Sequence, residues 1–228
     1  MPTASANARP PAPIAPGRAL PLVAALPFVA ALLLGAAACA PPPPRADAAQ
    51  ARAEWSAWRA DRDTLFASDS SPVPDSLRGA FAGLTYFAYD TLFVVAPALR
   101  LASTADTVLM ATTTGQPRRM VSFGRFSFLV DGRRHQLTGY VPVGPASPLA
   151  ASGTVFIPFR DATSGRETYG GGRYIDLEPA EDGGYVLDLN RAYHPSCVYD
   201  PSYSCPIPPR ENTLDLAVTA GERLPGDA

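Results

Sequence analysis

The residue pattern predicts a mainly β protein: an antiparallel β-sandwich or flattened β-barrel with one N-terminal helix. Two observations carry this. Ten short runs rich in β-branched and aromatic residues follow one another between Leu84 and Thr219, and such residues suit a pleated, half-buried surface. One stretch alone, Ala46–Ala67, has helical composition and spacing, so crossover helices for βαβ units are lacking.

The first element is a leader. Arg9 and Arg18 precede Ala19–Ala38, a charge-free run whose most apolar part is Val23–Leu34. A positive start, an apolar middle and a small-residue end make a secretory signal peptide over residues 1–38. Cys39 follows, and Leu34-Gly35-Ala36-Ala37-Ala38-Cys39 resembles a bacterial lipobox, with Ala36 where leucine is usual. That resemblance implies lipidation of Cys39 and a membrane partner through acyl chains, with the body in water. The same residues also fit ordinary A-x-A cleavage, which would give a soluble secreted or periplasmic protein, or an uncleaved span. Ala40-Pro41-Pro42-Pro43-Pro44 is a stiff spacer within residues 39–45. By resemblance to Gram-negative lipoproteins, Ala40 implies outer-membrane sorting. A single β-rich domain is expected over 46–223, with a tail at 224–228.

Charge excludes one class of partner. All 19 basic residues are arginine, against 21 acids. Loss of residues 1–38 leaves 17 arginines and a net charge of −4. No basic excess remains to hold nucleic acid or a polyanionic membrane surface.

The helix Ala46–Ala67 has apolar positions at Trp55, Trp58, Leu65 and Phe66, with Trp55 and Trp58 as its core-facing stripe, and Ser68–Pro74 stops it. Strands are expected at Leu84–Tyr89, Leu92–Ala96, Thr107–Thr112, Arg119–Phe123, Phe126–Val130, Arg134–Val143, Thr154–Phe159, Tyr174–Leu177, Tyr185–Leu189 and Thr213–Thr219. Asp131-Gly132 predicts a tight hairpin, and Glu181-Asp182-Gly183-Gly184 a second turn.

The informative segment is 156–212, where six of nine tyrosines fall between Tyr169 and Tyr203. Its string Phe156-Ile157-Pro158-Phe159, Asp161, Thr163, Gly165, Glu167-Thr168-Tyr169-Gly170-Gly171-Gly172-Arg173-Tyr174, Leu187-Asp188-Leu189-Asn190, Ala192-Tyr193, Cys197, Cys205-Pro206-Ile207-Pro208-Pro209 and Glu211-Asn212 resembles domain-of-unknown-function family 1684. Gly83–Phe87 and Ala220-Gly221-Glu222 extend the likeness, while His194 departs from it, standing where asparagine is expected. The resemblance implies a domain without an assigned activity.

The residues themselves leave three functions open. One is a non-catalytic module binding a small polar or anionic ligand, or an envelope protein, through Asp161, Glu167, Tyr169, Gly171, Arg173, Tyr174, Asn190 and His194. Consecutive glycines let backbone approach a ligand, and a guanidinium pairs with carboxylate or phosphate. Against this, Arg173 has Asp161, Glu167 and Asp176 as possible internal partners. The second is a hydrolase or metal-assisted enzyme around Arg173, Asp161, Glu167, Tyr169 and His194, with Asp176 and Asp188 as further carboxylates. The third is a purely structural β domain. His194, Cys197 and Cys205 form H-x2-C-x7-C, which matches no common zinc spacing. Export favours a Cys197–Cys205 disulfide over metal, over two reduced buried thiols and over a reactive Cys–His pair. No cofactor motif is present: the glycine run lacks the Lys and Ser/Thr of a phosphate loop, and no G-x-S-x-G occurs.

Overall fold

The computed structural model describes residues 48–143, 153–180 and 182–225. The leader, Cys39 and the proline spacer lie outside these residues, as do Ala46, Asp47, Glu181 and the last three positions of the tail.

The helix α1 spans Ala48–Ala67. Ala51, Trp55 and Phe66 are its buried face, whereas Leu65 is 41% exposed. Arginines take the place of the missing apolar contacts. Arg59 lies 4.3 Å from the Tyr86 ring and Arg62 lies 4.7 Å from the Tyr193 ring. A guanidinium over an aromatic face is attracted by the ring quadrupole and keeps its edge for hydrogen bonds. A second, four-residue helix, α2 at Asp75–Arg78, follows Pro74.

The architecture is mainly β, antiparallel and sandwich-like, and it does not close into a barrel. Strand β1 (Thr85–Tyr86) will pair with the chain terminus, and β2 (Val94–Val95) follows a single 3-10 turn at Thr91–Phe93. Then come β3 (Ala98–Leu101), β4 (Thr107–Met110), β5 (Arg118–Val130), β6 (Arg133–Pro142), β7 (Val155–Phe159) and β8 (Arg173–Leu177). These form the main sheet in the order β3-β5-β6-β7-β8, with β4 also on β5. Short strands β9 (Leu187–Asp188) and β10 (Glu222–Arg223) pair with β2 and β1.

The Asp131-Gly132 hairpin is as predicted: both residues have positive φ, 49° and 73°, the geometry whose twist matches the flanking strands. The two runs Arg119–Phe123 and Phe126–Val130 are one strand, because a bulge between Ser122 and Gly124 absorbs the break in alternation. Two strands, Ala98–Leu101 and Glu222–Arg223, were not revealed by the pattern, and one expected strand fails. Thr213–Thr219 is β-branched yet forms no strand, since it serves a loop rather than a ladder: Leu214 N donates to Arg160 O at 2.8 Å and Ala162 N to Leu216 O at 2.9 Å.

Register explains why β7 is buried along its whole length. Val155, Ile157 and Phe159 stand opposite Leu177, Ile175 and Arg173, whereas Phe156 and Pro158 stand opposite Asp176 and Tyr174. The first set faces the larger core, with Phe126, Leu137, Leu187, Leu189 and Val218. Phe156 and Tyr174 face a smaller cluster with Met110, Met120, Tyr140 and Cys205. Arg173 and Tyr174, adjacent in sequence, therefore point to opposite sides of the sheet.

Candidate functional site

Arg173 points into the large core and is fully buried. Its Nη2 donates to Asp161 Oδ2 at 2.9 Å and to Val218 O at 2.8 Å. Its Nη1 donates to Ala220 O and, at 3.1 Å, to Glu222 O. Asp161 also accepts from Thr163 N at 2.7 Å and Thr163 Oγ1 at 2.6 Å. Burial lowers the Arg173 pKa and Asp161 opposes that; a guanidinium so paired stays charged. Of the two sequence readings, the internal pair with Asp161 is the one realised, and Arg173 lies on no open surface.

The neighbouring candidates are likewise occupied. Gly172 has φ +96°, and a Cβ there would lie 2.5 Å from Phe159 O; one on Gly171 would lie 2.2 Å from the Tyr169 ring. These glycines admit close packing and do not form an open anion cradle. Asn190 is fully buried. Its side chain accepts from Asp90 N at 2.9 Å and donates to Asp90 O and Asp188 Oδ1, each at 2.8 Å. Glu167 is exposed; its amide donates to Thr163 O at 3.0 Å, and its charge acts on Arg173 only through space. Tyr169 is half-buried, and its amide donates to His194 Nε2 at 3.3 Å.

His194 sits in the interior beside Glu222, which accepts from the His194 amide at 2.8 Å and from Arg62 Nε at 2.5 Å. Burial, with Arg173 and Arg62 adding to it, pushes the imidazole pKa down to about 3. The unfolded chain takes up that proton near pH 6.5, so stability should fall as pH drops from about 6.5 towards 3, by up to about 1.4 kcal/mol per pH unit. Glu222, raised by burial, titrates in the opposite sense above 4.5 and blunts the slope. Chemical denaturation of wild type and His194→Gln between pH 7 and 5 separates the two. The variant should lose less stability over that range; equal losses would contradict a neutral, buried His194.

Both body cysteines are free thiols, so the expected disulfide is not formed in this structure. They are in contact: Cys197 N donates to Cys205 Sγ at 3.2 Å. Burial, with Cys197 beside it, pushes the Cys205 thiol up to about 12. His194 is turned to Tyr169 and Glu222, and among the described residues no group of three His, Cys, Asp or Glu side chains could hold a metal. No described helix is long and apolar enough to cross a membrane.

The open chemistry lies on the other face of the sheet, around Tyr174. A cavity of about 290 Å³ is bordered by Arg118, Met120, Tyr174, Asp176, Tyr193 and Tyr203, with Cys205 in its wall. The chain 192–195 runs beside β8, and Tyr193 and Tyr174 exchange both backbone hydrogen bonds at 2.9 Å. Their rings meet edge to face, with centroids 5.8 Å apart. Tyr193 Oη donates to Asp176 Oδ2 at 2.8 Å, Tyr174 Oη donates to Pro206 O, and Arg118 Nη2 donates to Ser204 O at 2.7 Å. Burial and Asp176 raise the Tyr193 pKa well above its usual value, so the phenol stays protonated.

Tyr174 is the one sequence-selected binding residue on this cavity. Arg118, Tyr193 and Tyr203 were missed as site residues, and Asp176 was weighed as a catalytic carboxylate or a partner of Arg173, not as a cavity residue. The tyrosine clustering was the available signal; nothing near Arg118 in sequence marks it. A larger groove, about 600 Å³, borders Glu54, Asp176, Glu178, Asp182, Asp188 and Arg191. Its acidic rim lacks the aromatic walls that usually hold small ligands.

The chain matches, over residues 79–223, the family described as protein of unknown function (DUF1684). It is similar to an uncharacterized protein of Haloarcula marismortui solved by NMR in solution. The two are 35% identical over 78% of this chain and 96% of that one, with a TM-score of 0.62. Curated proteins give no match.

Proposed function

Because the chain belongs to DUF1684, a family of proteins of unknown function, we propose from the geometry that it is a non-catalytic binding module. On this reading it is exported, held at the outer membrane through lipidated Cys39, and takes a small polar or anionic ligand in the Tyr174–Tyr193–Tyr203 cavity. The observation that carries the reading is the cavity itself, with aromatic walls and two opposite charges, Arg118 and Asp176, on its border. Aromatic walls supply contact area at low conformational cost, and a few polar groups fix orientation.

The binding reading is preferred to the enzyme reading because three groups named for catalysis are enclosed or paired. His194 is neutral and enclosed, Cys205 is protonated, and Arg173 is spent on Asp161 and three carbonyls. The protein should bind one or more small carboxylates or phosphates from a panel, read by calorimetry. Arg118→Ala should weaken the best anion at least about tenfold, the worth of a charged hydrogen bond, with thermal stability little changed. Unchanged affinity in that variant would remove the cavity from consideration.

A further inference from the structure

We infer that Cys197 and Cys205 are an oxidation site, and that their disulfide fixes the wall of the Tyr174–Tyr193 cavity. The wall is a loop. Ser196, Tyr203, Ser204, Cys205 and Pro206 all border the cavity, and they lie on two limbs joined by a turn at Tyr199–Ser202.

The limbs are held very differently. The second is fastened to the β4 side: Thr113 N donates to Cys205 O at 2.9 Å, Cys205 N to Thr113 Oγ1 at 3.0 Å, and Ile207 N to Ala111 O at 2.7 Å. The first is a single 3-10 turn, Ser196–Val198, whose backbone bonds are local, such as Val198 N to Pro195 O at 3.0 Å, and whose hold on the rest of the fold is the Tyr199 ring packed on Phe66 and Phe81. The hydrogen bond joining the limbs is Cys197 N to Cys205 Sγ, 3.2 Å. The two thiols also lie within hydrogen-bonding reach of each other. Sulfur is a weak acceptor, so the contact between the two limbs at the cysteines is weak in the reduced loop.

Accessibility sets the order of events. Cys197 is half-buried and Cys205 is buried, so an incoming disulfide meets Cys197 first. The Cys197 thiolate attacks one sulfur of an external disulfide RSSR, forming a mixed disulfide and releasing RS⁻. Cys205 then loses its proton and attacks the Cys197 sulfur, which closes the Cys197–Cys205 bond and releases the second RS⁻. Two electrons pass to RSSR, and the two thiol protons end on two RSH. With its first limb tied to the fastened second limb, the loop loses its freedom to open, and the cavity keeps one shape.

The consequence for ligand affinity rests on the proposed binding role; the bond itself does not. The test uses the full wild-type chain equilibrated over a series of glutathione disulfide to glutathione ratios. Alkylation resolved by peptide keeps Cys39 apart from the pair. Oxidation should protect Cys197 and Cys205 together, with their linked peptides about 2 Da lighter. Amides of residues 196–206 should then exchange with solvent at least about threefold more slowly, as local opening is suppressed. Two alkylatable thiols at every ratio, or glutathione retained on Cys197, would overturn the site. A formed bond with unchanged exchange would overturn its hold on the wall. Neither readout needs a ligand, so failed binding in the anion panel is distinguishable from failure here.

Discussion

Replacing Arg173 with Met is expected to cost about 3–5 kcal/mol, the usual loss when one partner of a buried ion pair is removed. That is a large part of a typical domain's stability of about 5–15 kcal/mol. Asp161 would keep a buried charge with only the Thr163 donors and Val218 N, which donates at 3.3 Å. The carbonyls of Val218, Ala220 and Glu222 would lose their shared donor. These three come from one returning segment, so the guanidinium is what fastens residues 218–222 to β8. Arg173→Lys should rescue little, because a point-like ammonium cannot reach the same spread of acceptors. Urea unfolding followed by circular dichroism checks both. A midpoint close to wild type for Arg173→Met would contradict the clamp and return Arg173 to the ligand question.

Asn212→Ala should cost about 2–4 kcal/mol, from buried groups left unsatisfied at about 1–3 kcal/mol each, without full additivity. Strands β6 and β7 pair at a single position, Tyr140 with Phe156. Beyond it Asn212 takes over the ladder. Its Oδ1 accepts from Thr138 N at 2.8 Å, and its Nδ2 donates to Thr138 O at 2.8 Å and Pro158 O at 2.7 Å. Asn212→Asp keeps the shape but sets a carboxylate oxygen against two carbonyls, so it should be at least as damaging. Equal stability of wild type and Asn212→Asp would refute the bridging role.

What could be read from sequence was what is local. Asp131-Gly132 dictates its own turn, and the β-branched and aromatic run Thr154–Phe159 marked a strand that forms over Val155–Phe159. Helix α1 was legible by composition, but of its expected stripe Trp55 is buried while Trp58 is half-buried against Arg62. The Thr213–Thr219 run reads as a strand because its residues favour one; its backbone bonds go to Arg160 and Ala162, partners more than fifty residues away. Arg173 was ambiguous for the same reason, since the choice depended on whether residues 161 and 218–222 converge on it. The cavity was least visible. Arg118 on β5 and Tyr203 in the loop share nothing in sequence, and only the alternation of β8, which sends Arg173 and Tyr174 to opposite faces, separates the clamp from the site.

The binding role is tested most directly by titrating the ring-labelled tyrosines by NMR against small carboxylates and phosphates. The cavity account predicts saturable shifts at Tyr174, Tyr193 and Tyr203, with Tyr86 and Tyr185, which do not border the cavity, unmoved. Saturable binding that leaves those three rings unchanged, or no binding across the panel, would contradict it.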